Sequence, residues 1–164
     1  MFMRFLMVIF LAGLLGCSNK PGDADLAKHF NDSFAESFRQ IGIDFSEYVE
    51  ASSFKVTSSY EDGNFYVVKA IPKIKIKKDL DAGALQSFET KAGMMVVYVY
   101  PVIFMLENLK QFDAGQINEQ QMMLRLRSAI NLKPEGILKT GDLFSGLEGE
   151  YKFRRTDQGW QAVK

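Results

Sequence analysis

The sequence of 164 residues has little of the chemistry on which small enzymes and metalloproteins depend. It contains one cysteine, one histidine and one tryptophan. A single thiol excludes a disulfide within the chain. Together with a single imidazole it is also too little for the usual zinc and copper sites. The folded protein must therefore be stable through packing alone.

Further absences narrow the function. Basic and acidic residues balance at 20 each, without the basic excess typical of nucleic-acid-binding domains. No glycine-rich phosphate loop, EF-hand run or Gly-x-Ser-x-Gly elbow occurs. A serine–histidine pair would have to use His29, which we interpret as an exposed helix residue. We expect no catalytic residue, metal or cofactor, although paired carboxylates among Asp142, Glu148 and Glu150 leave a small hydrolase open.

No apolar run reaches the roughly 20 residues of a stable membrane span. Residues 5–16 are apolar and follow Arg4, which is the only charge in residues 1–16. As a helix this run would reach about 18 Å, against a hydrocarbon core of roughly 30 Å. A positive start, a short apolar middle and a small residue at the end predict a secretory signal.

The end of this signal, Leu14-Leu15-Gly16-Cys17, resembles the lipobox of bacterial lipoproteins. The resemblance implies that the chain is cut between Gly16 and Cys17, and that Cys17 carries diacylglycerol and an acylated amine. Several acyl chains give durable membrane binding, whereas one gives only marginal binding. Ser18 stands where Asp commonly marks inner-membrane retention, which implies the outer membrane facing the periplasm in an organism that has one.

Residues 1–16 are then the signal peptide, residues 17–23 a lipidated tether and residues 24–164 a single α+β periplasmic domain. Apolar residues make up 47% of the sequence, enough for a core at this length. An aromatic stripe predicts an amphipathic helix that runs to about residue 41, with Asp23 or Asp25 as its cap. The stripe consists of Leu26, Phe30, Phe34, Phe38 and Ile41.

From about residue 53 the period changes to two, which predicts a long hairpin with its turn at residues 61–64. One face of the second strand is apolar and the other carries four lysines, which we call the lysine ladder. The ladder is a candidate contact for anionic lipid or an acidic partner, and it is also typical of a strand protected against aggregation. Pro72 predicts an edge or a bulge. The ladder residues are Lys69, Lys73, Lys75 and Lys77.

The middle of the chain contains 15 uncharged residues, 92–106, after a helix predicted over residues 82–92 with Asp79 or Asp81 as its cap. We interpret the uncharged run as a buried strand up to Pro101 and a helix after it. A continuous buried helix kinked at Pro101 is the alternative. The segment is either plain core or the wall of a pocket for an apolar ligand.

The remaining residues predict a helix to about Asn131, with Asn118 and Gln121 as its capping box. A C-terminal hairpin follows, with strands over residues 147–155 and 160–163. The expected fold is α+β. An N-terminal helix packs on an antiparallel sheet built from the central and C-terminal hairpins, and two or more middle helices complete the core.

Three functional hypotheses follow, in order of preference. The first is a non-catalytic, lipid-anchored envelope module that binds an envelope protein or acts in assembly. The second is a carrier or sensor of an apolar ligand, and the third is the small hydrolase. The expected partners are the membrane through Cys17 and an envelope protein or apolar ligand, with no nucleic acid.

Overall fold

A five-stranded antiparallel sheet and four α-helices make up residues 20–128 and 132–163, the part of the chain that the computed structural model describes. This arrangement confirms the α+β class. The helices are α1 (Asp23–Arg39), α2 (Ala82–Ala92), α3 (Tyr100–Asp113) and α4 (Glu119–Ser128). The strands are β1 (Val49–Asp62), β2 (Phe65–Ile76), β3 (Leu143–Ser145), β4 (Gly149–Thr156) and β5 (Gly159–Ala162).

The central strand of the sheet is β2. On one side it pairs along its length with β1, and on the other it pairs first with β4 and then with β3. The predicted strand over residues 147–155 is therefore β4, and the short β3 before it was missed. Pro72 lies where the second neighbour of β2 changes, because a residue without an N–H cannot continue the ladder there. Gly146 fits at this break because a Cβ atom would lie 2.8 Å from Pro72 Cγ.

The β1–β2 hairpin contains two bulges, at Ser52 and Thr57. The hydroxyl of Ser52 donates to the carbonyl of Lys73, and that of Thr57 donates to the carbonyl of Lys69. Each bulged residue thus bonds to β2 through its side chain. The turn of the hairpin contains Gly63 at φ 60°, a conformation that glycine adopts without strain.

Helix α1 packs its aromatic stripe against the sheet, as predicted. Leu26 and Phe38 are buried, and Phe38 stacks on Phe45 with ring centroids 4.7 Å apart. The cap differs from the expectation. Gly22 is the N-cap residue, and the Asp25 carboxylate accepts a hydrogen bond from its N–H at 2.9 Å. Phe45, which follows α1, is fully buried and also stacks on Phe88 of α2. Through Phe45 the end of α1 is therefore packed against α2.

The uncharged run contains no strand, which corrects the preferred interpretation. Residues Gly93–Tyr98 form a 3-10 helix that turns the chain from α2 into α3, and Pro101 lies in the first turn of α3 as expected. The two helical stretches bend by 84° at this junction. The fully buried residues of the run, Val99, Ile103 and Leu106, all lie in its second half. From the first half, Ala92 and Val96 are partly buried against the core.

Two helix caps follow the sequence closely. Asp81 caps α2 by accepting hydrogen bonds from the N–H groups of Gly83 and Ala84. Asn118 and Gln121 form the predicted capping box before α4, each side chain bonding to the other residue's N–H at 2.9 Å. The predicted helix end at about Asn131 lies outside the described residues.

Candidate functional site

Lys69, Lys73 and Lys75 lie on one face of β2, as the alternation predicts, and Lys77 follows the last residue of the strand. The same face of β2 also carries Val67, which is fully buried. Every ladder lysine has a carboxylate within 4.0 Å. Lys69 pairs with Glu150 at 4.0 Å and Lys73 with Asp113 at 3.4 Å. Lys75 and Lys77 share Glu50, at 3.7 and 3.8 Å.

These ion pairs have consequences for the ladder as a binding surface. Exposed pairs contribute only about 0–1 kcal/mol each to stability, so they do not hold the sheet together. They do place a negative charge beside each ammonium, which weakens the attraction of the ladder for an anionic surface. The contact of these four lysines with anionic lipid or an acidic partner stays a prediction.

Among the described residues, the most exposed large apolar side chain belongs to the 3-10 helix Gly93–Tyr98, which we call the apolar segment. Met94 is 90% exposed and Tyr98 62% exposed, with Val97 and Met95 at 57% and 46%. Gly93 ends α2 at φ 54°, and the chain then turns outward before α3 begins. Four adjoining apolar side chains therefore face solvent together, which is unusual for a protein surface and typical of an interaction site.

Side chains beside the apolar segment join its two flanking helices. The Glu89 carboxylate on α2 accepts hydrogen bonds from the Tyr100 hydroxyl on α3 and from the Lys133 ammonium, the latter at 2.8 Å. The Lys133 side chain lowers the pKa of Glu89, and burial is the main cause that raises the pKa of Tyr100. These bonds link α2 to α3 at the two ends of the apolar segment. The junction between the two helices is therefore held by side-chain bonds on either side of the exposed residues.

A second candidate site is a cleft of about 270 Å³ between α1 and β5, which we call the α1 cleft. His29 lies in it and is half-buried, whereas an exposed position was expected. Its ring meets the rings of Tyr151 and Phe153 edge-on at 5.7 Å, and its Nδ1 is 3.2 Å from Ser33 Oγ. Burial raises the pKa of Tyr151 to about 12. The cleft also contains Asp25, Lys28, Asp32, Trp160, Gln161 and Ala162.

The two carboxylates of the α1 cleft belong to the same helix. Asp25 accepts the bond from Gly22 already described, and Asp32 pairs with Lys28 at 2.6 Å. They lie seven residues apart, which is about 10 Å along a helix. Neither therefore faces the other across the cleft, as the acid and base of a glycosidase do.

The carboxylates singled out in the sequence each have a polar partner of their own. Asp142 pairs with Lys110 at 2.6 Å. Glu148 accepts a hydrogen bond from the Thr57 hydroxyl, and Glu150 is the partner of Lys69. Each of the three therefore has a different local partner. The partners of Glu148 and Glu150 are themselves in contact, because the Thr57 hydroxyl also donates to the carbonyl of Lys69.

A buried carboxylate that the sequence did not reveal holds the loop after α4. Glu107 on α3 is 2% exposed and accepts three backbone hydrogen bonds. Oε1 bonds to the N–H groups of Gly136 and Ile137 at 2.7 and 3.2 Å, and Oε2 bonds to that of Glu135 at 3.0 Å. Glu107 ends the uncharged run, which is the one signal that could have drawn attention to it.

The same loop is tied to the chain before α2. Asp79 accepts hydrogen bonds from the N–H and the hydroxyl of Thr140, both at 2.8 Å, and pairs with Lys139 at 3.2 Å. The backbone bond from Thr140 is the largest of the causes that lower the pKa of Asp79 to about 2. Glu107 and Asp79 are therefore structural carboxylates whose charge is matched by backbone donors.

Within residues 20–128 and 132–163, no group of three or more His, Cys, Asp or Glu side chains could hold a metal ion. Over the same residues no single helix is both long and apolar enough to cross a membrane. The bent pair Ala82–Tyr98 and Tyr100–Asp113 meets the criterion only together. The predicted cleavage and lipidation residues, Gly16 and Cys17, lie outside the described residues. Comparisons of the chain with protein families, curated proteins and solved structures found no match.

Proposed function

We propose that this protein is a lipid-anchored module of the bacterial envelope that binds another protein through the apolar segment. The observation that carries the proposal is the exposure of Met94, Met95, Val97 and Tyr98 on one braced junction. Methionine and tyrosine are enriched at protein interfaces, and methionine adapts its shape to different partners. A partner that covers these side chains removes apolar area from water, at roughly 25 cal/mol for each Å².

The alternative use of the uncharged run, as the wall of a pocket for an apolar ligand, has less support. Its first half is at the surface, and its second half packs into the core, where Ile103 and Leu106 are fully buried. A ligand could reach the buried half only if α3 moved away from the sheet. Binding of a protein surface needs no such rearrangement.

Anchoring is supported by the lipobox resemblance at Cys17 and by the place where the fold begins. Helix α1 starts at Asp23, so six residues, 17–22, separate it from the predicted signal peptide. A Cys17→Ser variant keeps the fold but lacks the thiol that receives lipid. We expect it to lose the acyl mass and to leave the membrane fraction. A variant that fractionates as before would contradict the anchor.

Partner binding is tested by site-specific photo-cross-linking in cells. A photoreactive amino acid at Met94 should give a discrete and reproducible adduct with one protein. The same amino acid at Gln86, an exposed polar position on α2, is the matched control and should not. Equal labelling at both positions, or none at Met94, would reject the apolar segment as the binding surface.

A further inference from the structure

Two β-turns and the start of α1 meet at one end of the sheet, which we call the turn end. Phe65, after the β1–β2 turn, pairs with Arg154, and Arg155 pairs with Trp160 across the β4–β5 turn. Both turns are therefore at the same end. The first turns of α1 lie here too, because Asp25 and Trp160 line the same cleft.

The tether limits how the domain can face a membrane. The six residues from Cys17 to the start of α1 reach at most about 20 Å when extended. A folded chain of about 140 residues has a radius of gyration of about 15 Å, hence a diameter of roughly 38 Å. A lipid at Cys17 therefore keeps the start of α1, and with it the turn end, close to the bilayer.

The turn end has the aromatic side chains that are enriched where proteins meet lipid headgroups. Trp160 is half-buried, with its ring 5.7 Å from that of Tyr66. Phe65 is half-buried beneath two cations, Lys152 at 5.0 Å and Arg154 at 5.3 Å from the ring centroid. A concavity of about 380 Å³ lies between the two turns. It is lined by Glu61, Gly63, Asn64, Phe65, Tyr66, Arg155 and Trp160.

The cations of the turn end differ from those of the lysine ladder. Arg154 and Arg155 are exposed, and no carboxylate of the described residues lies within 4.0 Å of either guanidinium. Lys152 is paired with Asp62 at 3.6 Å. Arg154 and Arg155 thus have no carboxylate within ion-pair distance, whereas each ladder lysine has one. The two turns also carry Glu61, Asp62 and Asp157, so what distinguishes the turn end is these two guanidinium groups and not an excess of positive charge. Guanidinium groups bind phosphate oxygens through two parallel hydrogen bonds.

We propose that the turn end rests on an anionic bilayer surface, with the Trp160 ring among the headgroups and Arg154 and Arg155 against lipid phosphates. This inference rests on the anchoring at Cys17 in the proposed function. The apolar segment follows α2, which packs near the end of α1 that is opposite the turn end. In the proposed orientation this segment faces away from the membrane and is open to a partner.

The test uses Trp160, the only tryptophan of the chain, as its reporter. The acylated protein is reconstituted in vesicles of phosphatidylglycerol and phosphatidylcholine that contain brominated acyl chains. We expect Trp160 emission to shift to shorter wavelength and to be quenched. In an Arg154→Gln/Arg155→Gln variant, the equilibrium constant for placing the turn end on the bilayer should fall about fivefold for each cation removed. A Lys75→Gln/Lys77→Gln variant removes the same charge from the ladder and should behave as the wild type.

A second tryptophan position tests which end of the domain faces the bilayer. In a Trp160→Phe/Tyr98→Trp variant the tryptophan lies on the apolar segment, and we expect no quenching. Quenching of this reporter instead of Trp160, or equal effects of the arginine and lysine variants, would overturn the inference. Acyl mass and co-sedimentation are measured on the same samples. An acylated, sedimenting protein with unquenched Trp160 refutes the orientation alone, whereas an unacylated protein refutes the anchor.

Discussion

Glu107 allows the sharpest test of what holds the fold together. In a Glu107→Gln variant one carboxylate oxygen becomes an amide NH₂, which cannot accept a hydrogen bond. If the amide keeps its oxygen at the Oε1 position, the N–H of Glu135 loses its acceptor, and the two bonds to Gly136 and Ile137 become neutral. The opposite rotamer leaves two donors without an acceptor, so it costs more.

The expected loss follows from these three bonds. A buried donor left without its acceptor costs about 1–3 kcal/mol, and a hydrogen bond to a charged group exceeds a neutral one by about 1 kcal/mol. Because the site is 2% exposed, water cannot readily replace the lost acceptor. We therefore expect the free energy of unfolding to fall by about 4 kcal/mol. With a urea slope of about 2 kcal/mol/M, the midpoint moves by about 2 M.

Urea denaturation of the purified protein measures this loss, and amide hydrogen exchange locates it. Protection should fall first at residues 135–137. Glu135→Gln makes the same chemical change at an exposed position in the same loop and should stay within about 0.5 kcal/mol of the wild type. If the two variants unfold at the same urea concentration, or if protection at residues 135–137 is unchanged in Glu107→Gln, the carboxylate does not hold this loop.

Three further predictions concern pH, packing and the surface. Asp79 has a lowered pKa in the folded state, so its contribution to the stability of the fold is present above pH about 4 and is lost as the pH falls towards 2. In thermal unfolding, the stability of Asp79→Asn should therefore fall less over this pH range than that of the wild type. Equal losses of stability would contradict this prediction. Gly146→Ala places a Cβ atom 2.8 Å from Pro72 Cγ and should destabilise the fold by about 1–3 kcal/mol; a double variant with Pro72→Ala should recover part of this loss in urea denaturation, and strict additivity would argue against the contact. Met94→Ser should leave the free energy of unfolding, measured by urea denaturation, within about 0.5 kcal/mol of the wild type, because its side chain is 90% exposed. It should nevertheless weaken capture of the partner, and a loss of stability would show that the segment is structural.

The elements that could be predicted are those specified by neighbouring residues. Helix α2 has the bounds expected from the sequence, because Asp81 caps it and Gly93 ends it. The apolar face of β2 follows from the alternation of its side chains, whereas the burial of Val67 on the lysine face does not. The capping box before α4 depends on two side chains three residues apart.

The elements that were missed depend on distant contacts. Hydropathy predicted burial for the whole uncharged run, and the exposure of Met94 depends on the 84° bend between α2 and α3. The burial of Glu107 depends on three N–H groups some 30 residues away along the chain. The α1 cleft depends on the return of β5 to the first helix. The hydropathy pattern of a single sequence does not show which residues far apart in the chain come into contact.

The two bulges of β1 have a consequence for how copies of this protein coexist. Proteins confined to a leaflet meet one another at far higher density than in free solution, and always with similar orientation. A straight outermost strand of 14 residues would then offer each neighbour a template for sheet extension. Ser52 and Thr57 interrupt that template twice. In the anchored state proposed here, these two hydroxyl-bearing residues are a safeguard against lateral polymerisation.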